Sequence, residues 1–217
     1  SLRCPRCQTD MNNHTEALMM PGPTGLIELA IDRPVGASRG VAVIAHPHPL
    51  HGGTLTNKVV QTLSRASVLS GWTAVRFNFR GVGASEGVYD EGRGELDDLL
   101  SVVLAQASEG PLCLAGFSFG AFVASHAAAR LHASRDIQRL VLIGTAASRF
   151  DVAPVPAELH PRTLIVHGEQ DDTVPLPSVM DWARPQVLPV TVVPGGGHFF
   201  HGQLPMLREL VLRHLRA

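Results

Sequence analysis

The chain has 217 residues and a mass of 23.2 kDa, which suits one domain; 45% hydrophobic and 17% charged residues exclude intrinsic disorder. Eighteen Lys and Arg against 19 Asp and Glu leave a net charge of -1, with no basic stripe for holding nucleic acid through its phosphates. The longest apolar run, Leu112 to Ala124, is too short to cross a bilayer, and no apolar stretch of a signal peptide follows Ser1 to Pro5. A cytoplasmic protein with no nucleic-acid and no membrane partner is expected.

Residues 1–15 read as an N-terminal extension, and 16–217 as a single domain. Cys4 and Cys7 form a C-x-x-C without a second pair, so no zinc site is expected there, and Cys113 falls in an apolar run that implies an inert, buried thiol. Glu16 to Met20 and Leu26 to Ile31, around Pro21-Gly22-Pro23, predict an antiparallel hairpin at a sheet edge. Short, near-continuous aliphatic runs then predict buried parallel strands at Val41–Ala45, Thr73–Phe77, Leu112–Ala115, Leu140–Ile143, Thr163–Val166 and Val190–Val193. Helical patterns lie between them at about 55–70, 93–108, 119–132, 177–184 and 202–216. This alternation predicts an α/β fold: a three-layer α/β/α sandwich with a mostly parallel sheet and an N-terminal antiparallel hairpin.

Sheets of this kind bind ligands at the carboxyl ends of their strands. The segments just past the strands hold His46-Pro47-His48-Pro49-Leu50-His51-Gly52-Gly53, Arg80 to Ser85, Gly116-Phe117-Ser118-Phe119-Gly120, His167 to Asp172, and Pro194 to His198. A serine, acids and histidines therefore share one rim.

The pattern G-x-S-x-G marks a tight strand-to-helix turn that exposes a nucleophilic serine. It occurs three times, around Ser38, Ser85 and Ser118, so the pattern alone selects nothing. Ser38 lies in a loop that precedes a strand. Ser85 is separated from its strand by Arg80 to Ala84 and is followed by glycines and acids. Ser118 alone has a strand before it and a helix rich in small residues after it. A serine hydroxyl needs a base held by an acid, and in this architecture these follow in the order Ser, Asp/Glu, His. His198, in a Gly-rich loop after the last strand, fits the base, with His201 as its rival. His126 and His132 belong to the helix after Ser118, His160 precedes a proline, and His167 ends a strand. Asp171 and Asp172 both fit the acid, and spacing does not separate them.

These motifs together resemble the small serine α/β-hydrolases of the dienelactone-hydrolase-like group, within the α/β-hydrolase superfamily. The resemblance runs from about residue 16 to 215. It rests on His46 to Gly53 with Asn57-Lys58, Arg76-Phe77-Asn78-Phe79-Arg80-Gly81-Val82-Gly83-Ala84-Ser85, the Ser118 turn, Gly168-Glu169-Gln170-Asp171-Asp172-Thr173-Val174-Pro175, and Gly197-His198-Phe199-Phe200. It implies Asp171 as the acid, since the family's Asp stands three after the Gly and three before the Val. It also implies that Ser85 belongs to a structural turn. Dienelactone hydrolases proper use cysteine where this chain has Ser118, so their lactone substrate is not carried over.

Two backbone N–H groups should receive the negative oxygen that develops during acyl transfer. Phe119 supplies one. Pro47 and Pro49 have no N–H, which leaves His48 or Leu50 for the other, and the resemblance favours His48. His46, His48 and His51 have H-x-H spacing without a nearby carboxylate, and no metal is expected. The expectation is therefore a serine esterase without cofactor, acting on a small-molecule ester through Ser118, Asp171 and His198. Leu50, Phe117 and Phe199 are expected to line its substrate site. An acyltransferase, a peptidase, or a non-catalytic binding protein on the same fold are the alternatives. The interval Gly144 to Arg162, with Pro154, Pro156 and Pro161, predicts a loop in place of a cap domain.

Overall fold

The computed structural model describes residues 2–3 and 14–217; Cys4 and Cys7 lie outside the described residues. Nine strands form one sheet in the order β1-β2-β3-β5-β4-β6-β7-β8-β9 among the described residues. Their ranges are β1 Leu2–Arg3, β2 Glu16–Gly22, β3 Gly25–Asp32, β4 Val41–Ala45, β5 Thr73–Phe77, β6 Leu112–Phe117, β7 Ile137–Ile143, β8 Thr163–Gly168 and β9 Thr191–Val193. Strands β1 to β3 pair antiparallel at one edge, and β3 pairs antiparallel with β5. From β5 to β9 every pairing is parallel.

Both faces of the sheet are covered, as continuous apolar strands require. Alternate residues of β4 go to opposite sides: Val43 and Ala45 join one core, Ala42 and Ile44 the other. The first core receives α2 (Arg93–Gln106), α3 (Phe119–Leu131) and α4 (Leu176–Ala183), and the second receives α1 (Lys58–Leu69) and α5 (Leu204–Arg216). Helix α1 begins at Lys58 because the Asn57 carboxamide oxygen accepts from the N–H groups of Val59 and Val60. Strand β7 begins three residues before the apolar run that predicted it. Gln138 and Arg139 belong to it, and the Arg139 guanidinium donates to the carbonyls of Gln138 and His214. The segment between β7 and β8 contains a loop and a 3₁₀ stretch, Ala157–Arg162, and no cap. No described helix is long and apolar enough to cross a membrane.

A polar frame fixes the loops at the carboxyl rim. The Arg80 side chain forms a two-pronged ion pair with Asp98 on α2, at 3.1 and 2.9 Å, and both side chains are buried. The Ser85 hydroxyl donates to the Asn78 carbonyl (2.6 Å) and accepts from the Glu28 N–H (2.9 Å), so its role is to close this turn. The Asn78 carboxamide in turn accepts from the Leu55 N–H at 2.8 Å, tying the histidine-rich loop after β4 to the end of β5. Removing one member of a buried ion pair strands the other charge. Asp98→Ala should therefore lower unfolding stability by about 3–5 kcal/mol, measured by urea denaturation. A loss under about 1 kcal/mol would mean that the pair adds no more than an exposed one.

Candidate active site

Strand β6 ends at Phe117 and α3 begins at Phe119, leaving Ser118 alone to turn the chain. Its φ of 57° and ψ of -114° are far from the ordinary regions for a residue with a side chain. The strained turn is possible because Gly116 and Gly120, two residues before and after Ser118, carry no Cβ. One on Gly116 would lie 2.3 Å from the Gly120 carbonyl oxygen. The Ser118 N–H donates to the Ile143 carbonyl at 2.9 Å, which fixes the turn against β7. The other two G-x-S-x-G serines are bound elsewhere. The Ser38 hydroxyl donates to the Gly40 carbonyl and bonds Thr73, and Ser85 closes the turn described above.

The loops after β8 and β9 bring an acid and a base to this serine. They approach so closely that a Cβ on Gly168 would meet the Gly196 carbonyl oxygen at 2.4 Å, and the Gln170 N–H donates to that carbonyl at 2.9 Å. Phe200, buried with a φ of 53°, anchors the second loop beneath the sheet's edge. The His198 Nε2 stands 3.1 Å from the Ser118 Oγ, and its Nδ1 stands 2.6 Å from the Asp171 Oδ2. Asp171 Oδ1 accepts the Thr173 and Val174 N–H groups at 3.0 and 2.7 Å. Burial alone would raise the Asp171 carboxyl, but the hydrogen bonds from His198 and Val174 and the facing imidazoles hold it below the usual carboxylate range. It is therefore ionised at neutral pH and orients the imidazole with Nε2 toward the serine. Asp172 is exposed and His201 lies on an exposed turn, so the geometry separates both from the serine.

The loop after β4 supplies the other wall. Phe119 is the first residue of α3, where N–H groups have no intrahelical acceptor. The His48 N–H has no acceptor among the described residues either. The His48 ring is neutral and fixed: its Nδ1 accepts from the Leu50 N–H at 3.1 Å, so Nε2 carries the proton and donates to the Tyr89 hydroxyl at 3.2 Å. His46 is fully committed too, with Nε2 accepting from the Phe79 N–H and Nδ1 donating to the Pro47 carbonyl. These rings have no free nitrogen for a metal, and no set of three ligating side chains occurs among the described residues.

A cavity of about 340 Å³ opens over Ser118, bounded by His48, Phe119, Arg149, Phe150, His198 and Phe199. Two expected lining residues lie elsewhere. Leu50 sits in a 3₁₀ turn that points it outward, 64% exposed. Phe117 is fully buried, with its ring 4.9 Å from that of His198, and supports the imidazole from behind. Arg149, Phe150 and Tyr89 were not foreseen; Phe150 stacks on Phe122 at 4.8 Å. No sequence motif marks them, because they reach the site through loops whose path depends on tertiary packing. A larger cavity of about 550 Å³, bounded by Asp32, Gln61 and Arg76, contains none of Ser118, Asp171 and His198.

Comparison with known proteins agrees with this fold. The thioesterase-domain family matches residues 96–166. A Xanthomonas campestris structure described as an α/β serine hydrolase without lid is 38% identical, with 95% of each chain covered and a TM-score of 0.83. An α/β serine hydrolase homologue from Coxiella burnetii is 41% identical, covering 95% of this chain and 99% of that one, with a TM-score of 0.78. An uncharacterised protein of Rickettsia prowazekii is 38% identical over 107 residues, and the match spans 45% of that relative's length. The chain belongs to the α/β-hydrolase superfamily, and its fold carries no cap.

The buried ring of His46 carries a pH signature. Burial pushes it from 6.5 down to about 4, although its bond to the Pro47 carbonyl opposes this. The unfolded chain thus takes up a proton there near pH 6.5 that the folded chain refuses until about 4. Stability from this group is complete above pH 6.5 and is lost as pH falls through that window, by roughly 2–4 kcal/mol in all. Chemical denaturation at pH 7.5, 5.5 and 4.5 should show the decline, and His46→Gln should flatten it. An unchanged slope in the variant would show that this ring titrates in the folded chain as it does in the unfolded one.

Proposed function

We propose that the protein is a serine hydrolase of small carboxylic esters that works through an acyl-enzyme on Ser118. The observation that carries this reading is the unbroken chain from serine hydroxyl to imidazole to carboxylate, at 3.1 and 2.6 Å, on a strained turn at the floor of a cavity. Ser118 Oγ attacks the ester carbon while its proton passes to His198 Nε2, and Asp171 stabilises the imidazolium. The carbonyl oxygen, now negative, is received by the Phe119 and His48 N–H groups. Collapse of this intermediate breaks the bond to the leaving group, which takes the proton from Nε2. Water then repeats the sequence on the acyl-enzyme, releasing the acid and restoring Ser118. No cofactor enters these steps.

The cavity's modest volume and the absence of a cap favour short acyl groups. A p-nitrophenyl acetate or butyrate should therefore exceed the decanoate in kcat/KM, without activation at an interface. A rate that climbs with chain length past about ten carbons would require an apolar channel, each methylene adding about 0.8 kcal/mol of burial. Ser118→Ala should cut kcat on the order of 10³-fold or more, and Asp171→Asn should cost far more than Asp172→Asn. Equal losses at the two aspartates would remove Asp171 from its role.

The thioesterase-domain match over residues 96–166 favours a second reading, in which the scissile bond is a thioester. The same residues serve that reaction, since a thiolate is a better leaving group than an alkoxide. Butyryl esters of matched alcohol and thiol decide between them by the ratio of kcat/KM. Acyl transfer to an acceptor other than water would appear as a new ester in place of free acid.

A further inference from the structure

Among the described residues, His167 is the one fully buried imidazole that the reaction above does not use and that faces its machinery. It ends β8, four residues before Asp171, and is wholly inaccessible to solvent. Its Nε2 lies 2.7 Å from the Val174 carbonyl oxygen and 3.4 Å from Asp171 Oδ2, the same oxygen that His198 Nδ1 approaches at 2.6 Å. The opposite nitrogen, Nδ1, is buried without a partner among the described residues. These contacts fix the tautomer. A carbonyl can only accept, so the proton sits on Nε2 and the lone pair on Nδ1. A second proton would have to be placed on Nδ1, where no acceptor awaits it, so the ring stays neutral. Burial works in the same direction, lowering its proton affinity. The titratable groups that face one another here are Asp171, His198 and His167.

The geometry points to His167 as a positioning residue for the acid of the proposed reaction: its neutral N–H closes the Asp171 to Val174 turn and draws charge from Asp171 Oδ2. The first effect is mechanical. Asp171 Oδ1 is held by the N–H groups of Thr173 and Val174, so the carbonyl of Val174 is the outward face of the very turn that aims the carboxylate. Binding that carbonyl from the end of β8 locks the turn to the sheet. The second effect is electrostatic. The His167 N–H, bonded to Val174, also lies 3.4 Å from Asp171 Oδ2, and a carboxylate oxygen near the positive end of this dipole as well as bonded to His198 is a weaker base than one facing a single ring. It therefore attracts a protonated His198 less strongly than it would without His167 beside it. A protonated His167 would do the opposite job badly, by repelling the imidazolium that forms during turnover; the empty, buried Nδ1 prevents that state.

The assignment rests on the triad reading, and the test separates the two. His167→Leu removes the donor, His167→Asn keeps a donor too short to reach Val174, and His167→Gln keeps one of comparable reach. The proton shared by His198 and Asp171 is followed by NMR as a function of pH, which needs no turnover, and the acid limb of kcat/KM is recorded in parallel. In His167→Leu the pH midpoint of that proton's shift, and the acid limb with it, should rise by roughly half to one unit. His167→Asn should behave likewise and His167→Gln should return toward the parent. Thermal melting identifies any variant that fails to fold, and the other then carries the comparison. A midpoint that stays in place while rates fall would make His167 a packing residue and overturn the assignment, as would a downward shift or a failure of Gln to restore it. A midpoint that moves as expected in a protein that hydrolyses no ester would instead overturn the esterase reading and leave the role of His167 intact.

Discussion

The site depends on how closely one helix start can approach one loop. A Cβ on Gly120 would lie 2.2 Å from the Ala45 carbonyl oxygen and 2.6 Å from that of His46, so only glycine lets the first turn of α3 sit against the end of β4. That contact does two things at once. It leaves Ser118 alone to turn the chain from β6 into α3, at a φ of 57°. It also sets the Phe119 N–H and the histidine-rich loop on opposite sides of the same small space. Every other contribution to the site is aimed at a point that this approach defines.

The remaining loops are held by polar groups because the rim is where strands stop and backbone donors and acceptors lose their ladder partners. His46, Asn78, Ser85 and Glu28 take up those groups in a continuous network, and the Arg80–Asp98 pair ties it to α2. Such a frame costs desolvation, but it leaves few alternative arrangements for the loops. The same logic applies across the sheet, where Asp171 is held by two N–H groups and two imidazoles face a single carboxylate oxygen. Preorganisation of this sort is what a reaction that develops charge beside fixed donors requires.

The sheet was legible because its strands are buried on both faces. Val41–Ala45 and Thr73–Phe77 are near-continuous apolar runs, and their ends coincide with the observed strands. β7 was read too short because Arg139 hides its polarity in carbonyl contacts that only the folded chain supplies. At the site, the expected serine, acid and base meet, since their order and their placement after strands follow from topology. The cavity wall was less accessible. Leu50 looked like a lining residue by proximity in sequence, but the Pro49–His51 turn rotates it into solvent. Arg149 and Phe150 come from a loop that carries no periodicity, placed by the packing of Phe150 on Phe122. His167 looked like an ordinary end of a strand, because its partners are a carbonyl and a carboxylate that arrive later in the chain.

The central claim is that Ser118 is a nucleophile activated by its surroundings, and covalent capture tests it most directly. The intact protein would be treated with a fluorophosphonate, digested, and the modified peptide located by mass spectrometry. A single adduct on Ser118 is expected, formed at neutral pH and suppressed in His198→Ala. Absence of an adduct in the folded protein, or an adduct on Ser38 or Ser85 in its place, would contradict it.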